Sequence, residues 1–316
     1  MADWIEIEIK GHIINLKTWL MFSRPFTQLA PAIGFLCGGL VALGTSRLTG
    51  IEIDPHPFFK LTLGTIAAAL MNIYSNAVNQ IFDQDIDRIN KPNRPLPSAM
   101  FSVRQAWAIG LGAAMGSMLL ASLVSKGFLA ILMLAAVFTS LYSIPPFRMK
   151  RFLGISNLVI AIPRGCLVTV AGWSAVASVL HPEPWLVGSV LGLFILGAAS
   201  TKDFSDIEGD RRYGCTTLPV TFGIKKSTLI IAPFLVLPFM VLPLYAALGW
   251  LNAPLQLTII VGVLLAAWGS YVVHLLWKFP DELATEENHV SWKHMYLLMI
   301  FTYVGIALCY IIPFPY

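Results

Sequence analysis

Residues 58–87 read FFKLTLGTIAAALMNIYSNAVNQIFDQDID. An apolar run of this length crosses roughly 30 Å of hydrocarbon as a helix, yet it ends in a knot of acids, Asp83, Asp85 and Asp87, preceded by Asn79. A carboxylate near the centre of a bilayer helix costs about 2.5 to 3.5 kcal/mol, so a chain that keeps several together uses them or holds them at the interface. A second knot, Lys202, Asp203, Asp206, Glu208 and Asp210, closes another apolar run. Both readings put the acids at a functional rim.

Of 316 residues, 57% are hydrophobic and 12% charged, where a soluble domain carries about a quarter charged. An ordinary globular enzyme is excluded. Apolar runs fall at 26–43, 58–81, 105–123, 128–144, 155–180, 185–200, 229–250, 254–277 and 295–312. They predict an all-α polytopic membrane protein, nine transmembrane helices in a bundle, forming one unit over 1–316. With nine spans, Arg47, Lys60 and Lys126 face one side, Arg164 lies inside a span, and every other Lys and Arg faces the opposite side. The positive-inside rule then predicts a cytoplasmic N-terminus with both acidic knots on the cytoplasmic face. The net charge of +4 belongs to that face and predicts no nucleic-acid partner; oligomeric state is not legible.

The N-terminal stretch is polar and mixed, without the uncharged core of a secretory signal. Trp4, Ile5, Ile9, Ile13 and Ile14 suit the apolar face of a helix lying on the membrane, while the Ile-Glu alternation equally suits a strand. Cys37, Cys166, Cys215 and Cys309 have no zinc or redox spacing and read as small buried apolar residues. His274, near a helix end, reads as interfacial.

The two knots carry the same device. Asp83 and Asp87, four apart, are followed by Arg88, Lys91, Arg94 and Leu96-Pro97; Asp206 and Asp210, again four apart, are followed by Arg211, Arg212 and Leu218-Pro219. Acids at i and i+4 share one helical face. Asn72, Asn76, Asn79, Asp83 and Asp87 extend that face inward as a polar stripe, which predicts a cavity wall. Lys202, Asp203, Asp206 and Asp210 are expected to share a face in the same way, and Asp85 and Glu208 read as solvated charges.

Opposed carboxylates with no His or Cys suit Mg²⁺, a hard cation that usually bridges protein carboxylates to substrate phosphate. A diphosphate head at the cationic rim with a hydrocarbon tail among the helices satisfies both halves of the composition. That describes a polyprenyl diphosphate.

Three segments carry a family resemblance. They are Asn79-x-x-x-Asp83-x-x-x-Asp87 with Asn90-Lys-Pro-Asn-Arg94-Pro-Leu-Pro-Ser98; Tyr142-Ser-Ile-Pro-Pro146 with Arg148 and Lys150; and Lys202-Asp203-x-x-Asp206-x-x-Gly-Asp210-Arg211 with Thr217-Leu-Pro. Together with Arg24-Pro25 at the first span, they resemble the UbiA-type intramembrane prenyltransferases over nearly the whole chain. The motif style is close to chlorophyll synthases, homogentisate prenyltransferases and the enzymes that add a second geranylgeranyl chain to a glyceryl phosphate lipid. Gln80 stands where many members have Asp, a change shared with homogentisate prenyltransferases, and it removes one candidate metal ligand.

The resemblance implies Mg²⁺ held through Asn79, Asp83, Asp87, Asp206 and Asp210. It implies transfer of a prenyl group to a hydrophobic acceptor (an aromatic quinone precursor, a lipid alcohol or a tetrapyrrole carboxylate) with release of diphosphate. Asp83, Asp87, Asp206, Asp210, Tyr142 and Lys202 are then the expected catalytic residues. Asn72, Asn76, Asn79, Lys91, Arg94, Arg148, Lys150, Arg164 and Asp203 are expected to contact substrate. The Tyr142 ring would shelter an allylic cation, or else belong to the interfacial aromatic belt; Arg164 would meet diphosphate or acceptor, or else snorkel. Segments 91–102 or 211–226 would close over the site against water. Two other classes stay open: an ion-coupled transporter, which usually keeps its acids near mid-membrane on broken helices, and a non-catalytic lipid-binding protein of the same fold.

Overall fold

The computed structural model describes residues 6–9, 12–278, 280, 282–285 and 289–313. Strands β1 (Glu6–Ile9) and β2 (His12–Asn15) pair antiparallel, Ile7 opposite Ile14. The strand reading of the N-terminal segment therefore holds, and the membrane-surface helix does not; Trp4 and Ile5 lie outside the described residues. Beyond this hairpin the expected all-α architecture is what the chain adopts.

Helix α1 (Leu16–Ser23) leads into α2 (Pro25–Thr49), joined at Arg24, whose φ of 51° lets Pro25 open α2 where a missing N–H costs nothing. There follow α3 (Pro57–Phe82), the short α4 (Gln84–Asn90), α5 (Val103–Val124) and α6 (Lys126–Ser143). The fifth crossing is α7 (Ile155–Ala161), a π-turn over Ile162–Leu167, and α8 (Val168–Ser174). The sixth is α9 (Glu183–Ala198), a 3-10 turn over Ala199–Asp206, and α10 (Ile207–Arg212). Helices α11 (Leu218–Ala247), α12 (Leu255–Lys278) and α13 (Val290–Ile311) complete the bundle. Among the described residues nine helices are long and apolar enough to cross a membrane, and each matches one predicted run.

The differences lie at the ends, because hydropathy marks a helix interior while polar caps set its limits. Helix α5 starts at Val103 rather than 105: Ser102 Oγ accepts the Gln105 N–H at 3.2 Å, and Gln105 Oε1 accepts the Ser102 N–H at 2.9 Å. Ser125 both ends α5 and caps α6, accepting the Phe128 N–H at 3.0 Å. Helix α11 starts eleven positions before the predicted 229, with a break at Gly223, φ 76°. The π-turn falls at Pro163, which removes an N–H from the helical ladder.

Close backbone approach holds α2 against α8: a Cβ at Gly172 would overlap the Phe35 carbonyl, and one at Gly38 the Thr169 carbonyl. Small residues permit such contact where no hydrophobic drive between helices exists. The fully buried Glu183 ties three more segments together. Its carboxyl accepts from Tyr310 Oη (2.6 Å), Thr45 Oγ1 (3.2 Å), and the Asn252 backbone N–H and side chain (2.7 and 2.8 Å). Glu183→Ala orphans these buried donors and is expected to lower stability by about 3 kcal/mol, read as a drop in unfolding temperature in detergent.

Candidate active site

The site is built on a repeated joint. Asp83 ends α3 and opens α4 with φ −105°, ψ 6°; Asp206 ends the 3-10 turn and opens α10 with φ −108°, ψ 6°. Both sit in the sparsely allowed bridge region. Each span bends at its first motif aspartate and carries the second, Asp87 or Asp210, on a short helix beyond; both second aspartates are buried. The duplication read in the sequence is thus a duplication of backbone conformation.

Cations meet these acids. Lys150, itself buried, pairs with Asp83, whose other neighbour Arg148 lies at 3.6 Å and donates to the Phe82 carbonyl at 3.0 Å. Arg94 Nη1 reaches both Asp87 carboxylate oxygens at 2.7 and 2.8 Å. Burial pushes the Asp87 carboxyl above its ordinary range, against the pull of Arg94. Lys91 Nζ lies 2.5 Å from Asp206 Oδ1. Asp210 lies within electrostatic reach of Asp206, Lys150, Lys202 and Asp83, so the two joints share one charged region.

A cavity of about 720 Å³ opens beside it. Lys91, Arg94, Lys202, Asn79 and Arg164 form polar parts of its wall, and Phe26, Phe138, Ile195, Trp292, Met295 and Met299 apolar ones. The wall therefore presents Lys91 and Arg94 rather than the carboxylates they hold; Arg148 and Lys150 are likewise turned to Asp83 and away from the cavity. Lys202 departs from the expected common face. In a 3-10 turn residues three apart eclipse, so Lys202 and Ser205 face the cavity together. Its Nζ donates to Tyr142 Oη at 3.0 Å and stands 5.3 Å from the Tyr142 ring centroid. Asp203 remains within electrostatic reach of Lys202 and Lys91. Arg164 lines the cavity from the π-turn, where its carbonyl accepts Tyr303 Oη at 2.7 Å.

The comparisons with known proteins meet this geometry. The description "UbiA prenyltransferase family" matches residues 40–298. The chain belongs to that family. It is 31% identical to a homogentisate phytyltransferase of Synechocystis sp. over 294 residues, covering 90% of this chain and 93% of the relative. It is 33% identical to a chloroplastic 2-acylphloroglucinol 4-prenyltransferase of Humulus lupulus, covering 71% of this chain, and spans only 57% of that relative's length. Among solved structures, one of a digeranylgeranylglyceryl phosphate synthase superposes with TM-score 0.65 at 28% identity, over 94% of this chain and 98% of the other. The structure of a UbiA homologue from Archaeoglobus fulgidus bound to DMAPP and Mg²⁺ superposes with TM-score 0.66 over 92% and 99% of the two chains; at 19% identity it speaks to the fold.

Within this UbiA site the polar stripe divides by task. Asn72 and Asn76 line the cavity but give their amide hydrogens to α1 and α2, to Thr27 O and Oγ1 and to Ser23 O, at 3.0 to 3.3 Å. Asn79 Nδ2 donates to Asp83 Oδ2 at 2.7 Å. Gln80 is buried and donates to the Phe22 and Asn76 carbonyls at 2.9 and 3.2 Å, so it fastens α1 and stands outside the acid cluster. Asp85 is exposed and paired with Arg88 in solvent, and Glu208 is exposed. Asn90, quoted in the motif but given no role, turns out to bridge the two joints; no sequence signal marks a partner 116 residues away.

The donors around the joints are hard oxygens. Cys215, close to Asp210, is buried and its thiol is pushed up to about 11 by burial and then by Asp210, so it offers no thiolate near neutral pH. Among the described residues no three His, Cys, Asp or Glu side chains form a ready metal cage. Each motif acid is occupied instead by, or lies near, a cation. Gln80→Ala is expected to cost about 1 to 3 kcal/mol in stability through the orphaned carbonyls, while the Mg²⁺ dependence of any activity stays at the wild-type midpoint.

Proposed function

We propose that this protein transfers a prenyl group from a prenyl diphosphate to a lipophilic acceptor within the membrane, releasing diphosphate, with Mg²⁺ as cofactor. The observation that carries the reading is the pair of matched acidic joints beside Lys91, Arg94 and Lys202, at a cavity whose remaining wall is largely apolar. A diphosphate head on a hydrocarbon tail matches both parts. We take residues 1–316 as one catalytic unit and the charged rim as cytoplasmic, the side that the Lys and Arg excess favours.

Asp83, Asp87, Asp206, Asp210 and the Asn79 amide are the oxygens that would hold Mg²⁺, and their chemistry suits it. When bound, the metal supplies charge neutralisation to the leaving diphosphate. The chain's own residues do the rest. Lys91, Arg94 and Lys202 stand on the cavity wall to receive the diphosphate oxygens. As the bond from C1 to oxygen breaks, its electron pair leaves on diphosphate and an allylic cation develops. The face of Tyr142 already accepts an ammonium, Lys202, at 5.3 Å, and shelter of that cation is the role we assign the ring. The acceptor's carbon or oxygen then closes the new bond and gives up a proton to the released diphosphate or to water. Arg148 and Lys150 serve as counter-ions to Asp83, and Asp203 orients Lys202 and Lys91. Arg164 is assigned to an oxygen-bearing group of either substrate.

Asp83→Asn, Asp87→Asn, Asp206→Asn and Asp210→Asn should each lower turnover at least about 100-fold with helical circular dichroism intact. Near-wild-type rates in all four would sink the assignment. Because each paired acid is neutralised internally, Mg²⁺ alone should bind weakly, and Mg²⁺ and diphosphate should raise each other's affinity by one common factor. A thermal-stability titration of Mg²⁺ with a prenyl thiodiphosphate is expected to show a lower midpoint than one without it. Equal midpoints would indicate a self-sufficient cation site and favour the transporter reading.

A further inference from the structure

We infer that Asn90 is a positioning residue that caps α10 and fastens the second joint to the first, and so sets where the Asp206 carboxylate stands in the charged site. The inference rests on the prenyl diphosphate reading above. Asn90 is the last residue of α4, and its amide is used from both sides: Nδ2 donates to the Asp206 carbonyl at 3.0 Å, and Oδ1 accepts the Gly209 N–H at 2.9 Å. Asp206 is the N-cap of α10 and Gly209 its third residue.

An N-cap aspartate with extended backbone folds its own carboxylate back onto the N–H of the second or third helical residue, whereas Asp206, like Asp83, holds ψ at 6°. Asp206 makes no such bond. Its carboxylate points to Lys91 Nζ at 2.5 Å, while the Gly209 N–H is held by Asn90. Sterics supports the same assignment. A Cβ at Gly209 would stand 2.6 Å from Asn90 Nδ2 and 2.7 Å from Oδ1, so only glycine lets the α10 backbone come this close to the amide. Asn90 thus does two things with one side chain. It fastens the second joint to the first at the Asp206 carbonyl, and it caps α10 at the Gly209 N–H.

In Asn90→Ala both bonds are lost, and the second joint is no longer tied to the first. The expected result is a roughly tenfold rise in KM for prenyl diphosphate and in the Mg²⁺ midpoint of thiodiphosphate-dependent thermal stabilisation, with a smaller change in kcat. Asn90→Asp keeps an acceptor for Gly209 but turns a charged, acceptor-only oxygen on the Asp206 carbonyl, so α10 stays capped while the tie between the joints is lost; its Mg²⁺ midpoint should rise as in alanine, and it also serves if the alanine form does not fold. Gly209→Ala should weaken the Mg²⁺ midpoint from the other side, and its effect should shrink in the Asn90→Ala background, because the clash is then gone. A wild-type protein that shows no Mg²⁺-dependent stabilisation by the thiodiphosphate would overturn the prenyl diphosphate reading and this inference with it. A normal wild-type response that Asn90→Ala leaves unchanged, with only the unfolding temperature lowered, would overturn the Asn90 assignment alone.

Discussion

Asp83 against Lys150, Asp87 against Arg94 and Asp206 against Lys91 are ion pairs held largely out of water at the ends of two membrane spans. A charge left unpaired in such surroundings costs several kcal/mol, and a pair recovers this only with good geometry and further hydrogen bonds. The surrounding structure supplies both. Asn79 donates to the second oxygen of Asp83, and Arg94 meets both oxygens of Asp87. The connections after α4 and α6 are tied to the acids by the cations they carry. An anion that meets Lys91 or Arg94 must compete with the acid that each already holds.

The same economy of charge explains where the backbone departs from the α-helix. Non-helical backbone at membrane depth persists only where it is buried in protein or lines a cavity. Three departures meet that condition here: the left-handed turn at Arg24, the π-turn at Ile162–Leu167 and the 3-10 turn at Ala199–Asp206. Each contributes to the cavity wall, through Arg24, through Pro163 and Arg164, and through Thr201, Lys202 and Ser205. The irregular turns are the means by which polar groups enter an apolar bundle. Away from them, glycine-mediated contact between α2 and α8 and the buried Glu183 network hold the scaffold still.

Much of this was legible in the residues. The nine crossings follow from run length, and the acidic motifs from their contrast with the runs they end. The duplicated acidic motif followed from repeated spacing, but the bend at Asp83 and at Asp206 did not, since acids four apart were expected on one continuous helical face. Helix ends were less legible, since Ser102, Ser125 and Pro163 act through backbone hydrogen bonds that hydropathy does not sense. Lys202 was placed on the wrong face because a 3.6-residue period was assumed where the chain winds at three.

The sequence by itself determined the membrane class, the number of crossings and which charged residues end the two motif spans, because each depends on residues near one another in the chain and on the cost of charge in hydrocarbon. Only the tertiary structure decided which cation meets which acid, that Gln80 fastens α1, and that Asn90 reaches α10. Those choices join positions 58 to 119 apart for Gln80 and Asn90, and they are set by how the helices pack and bend.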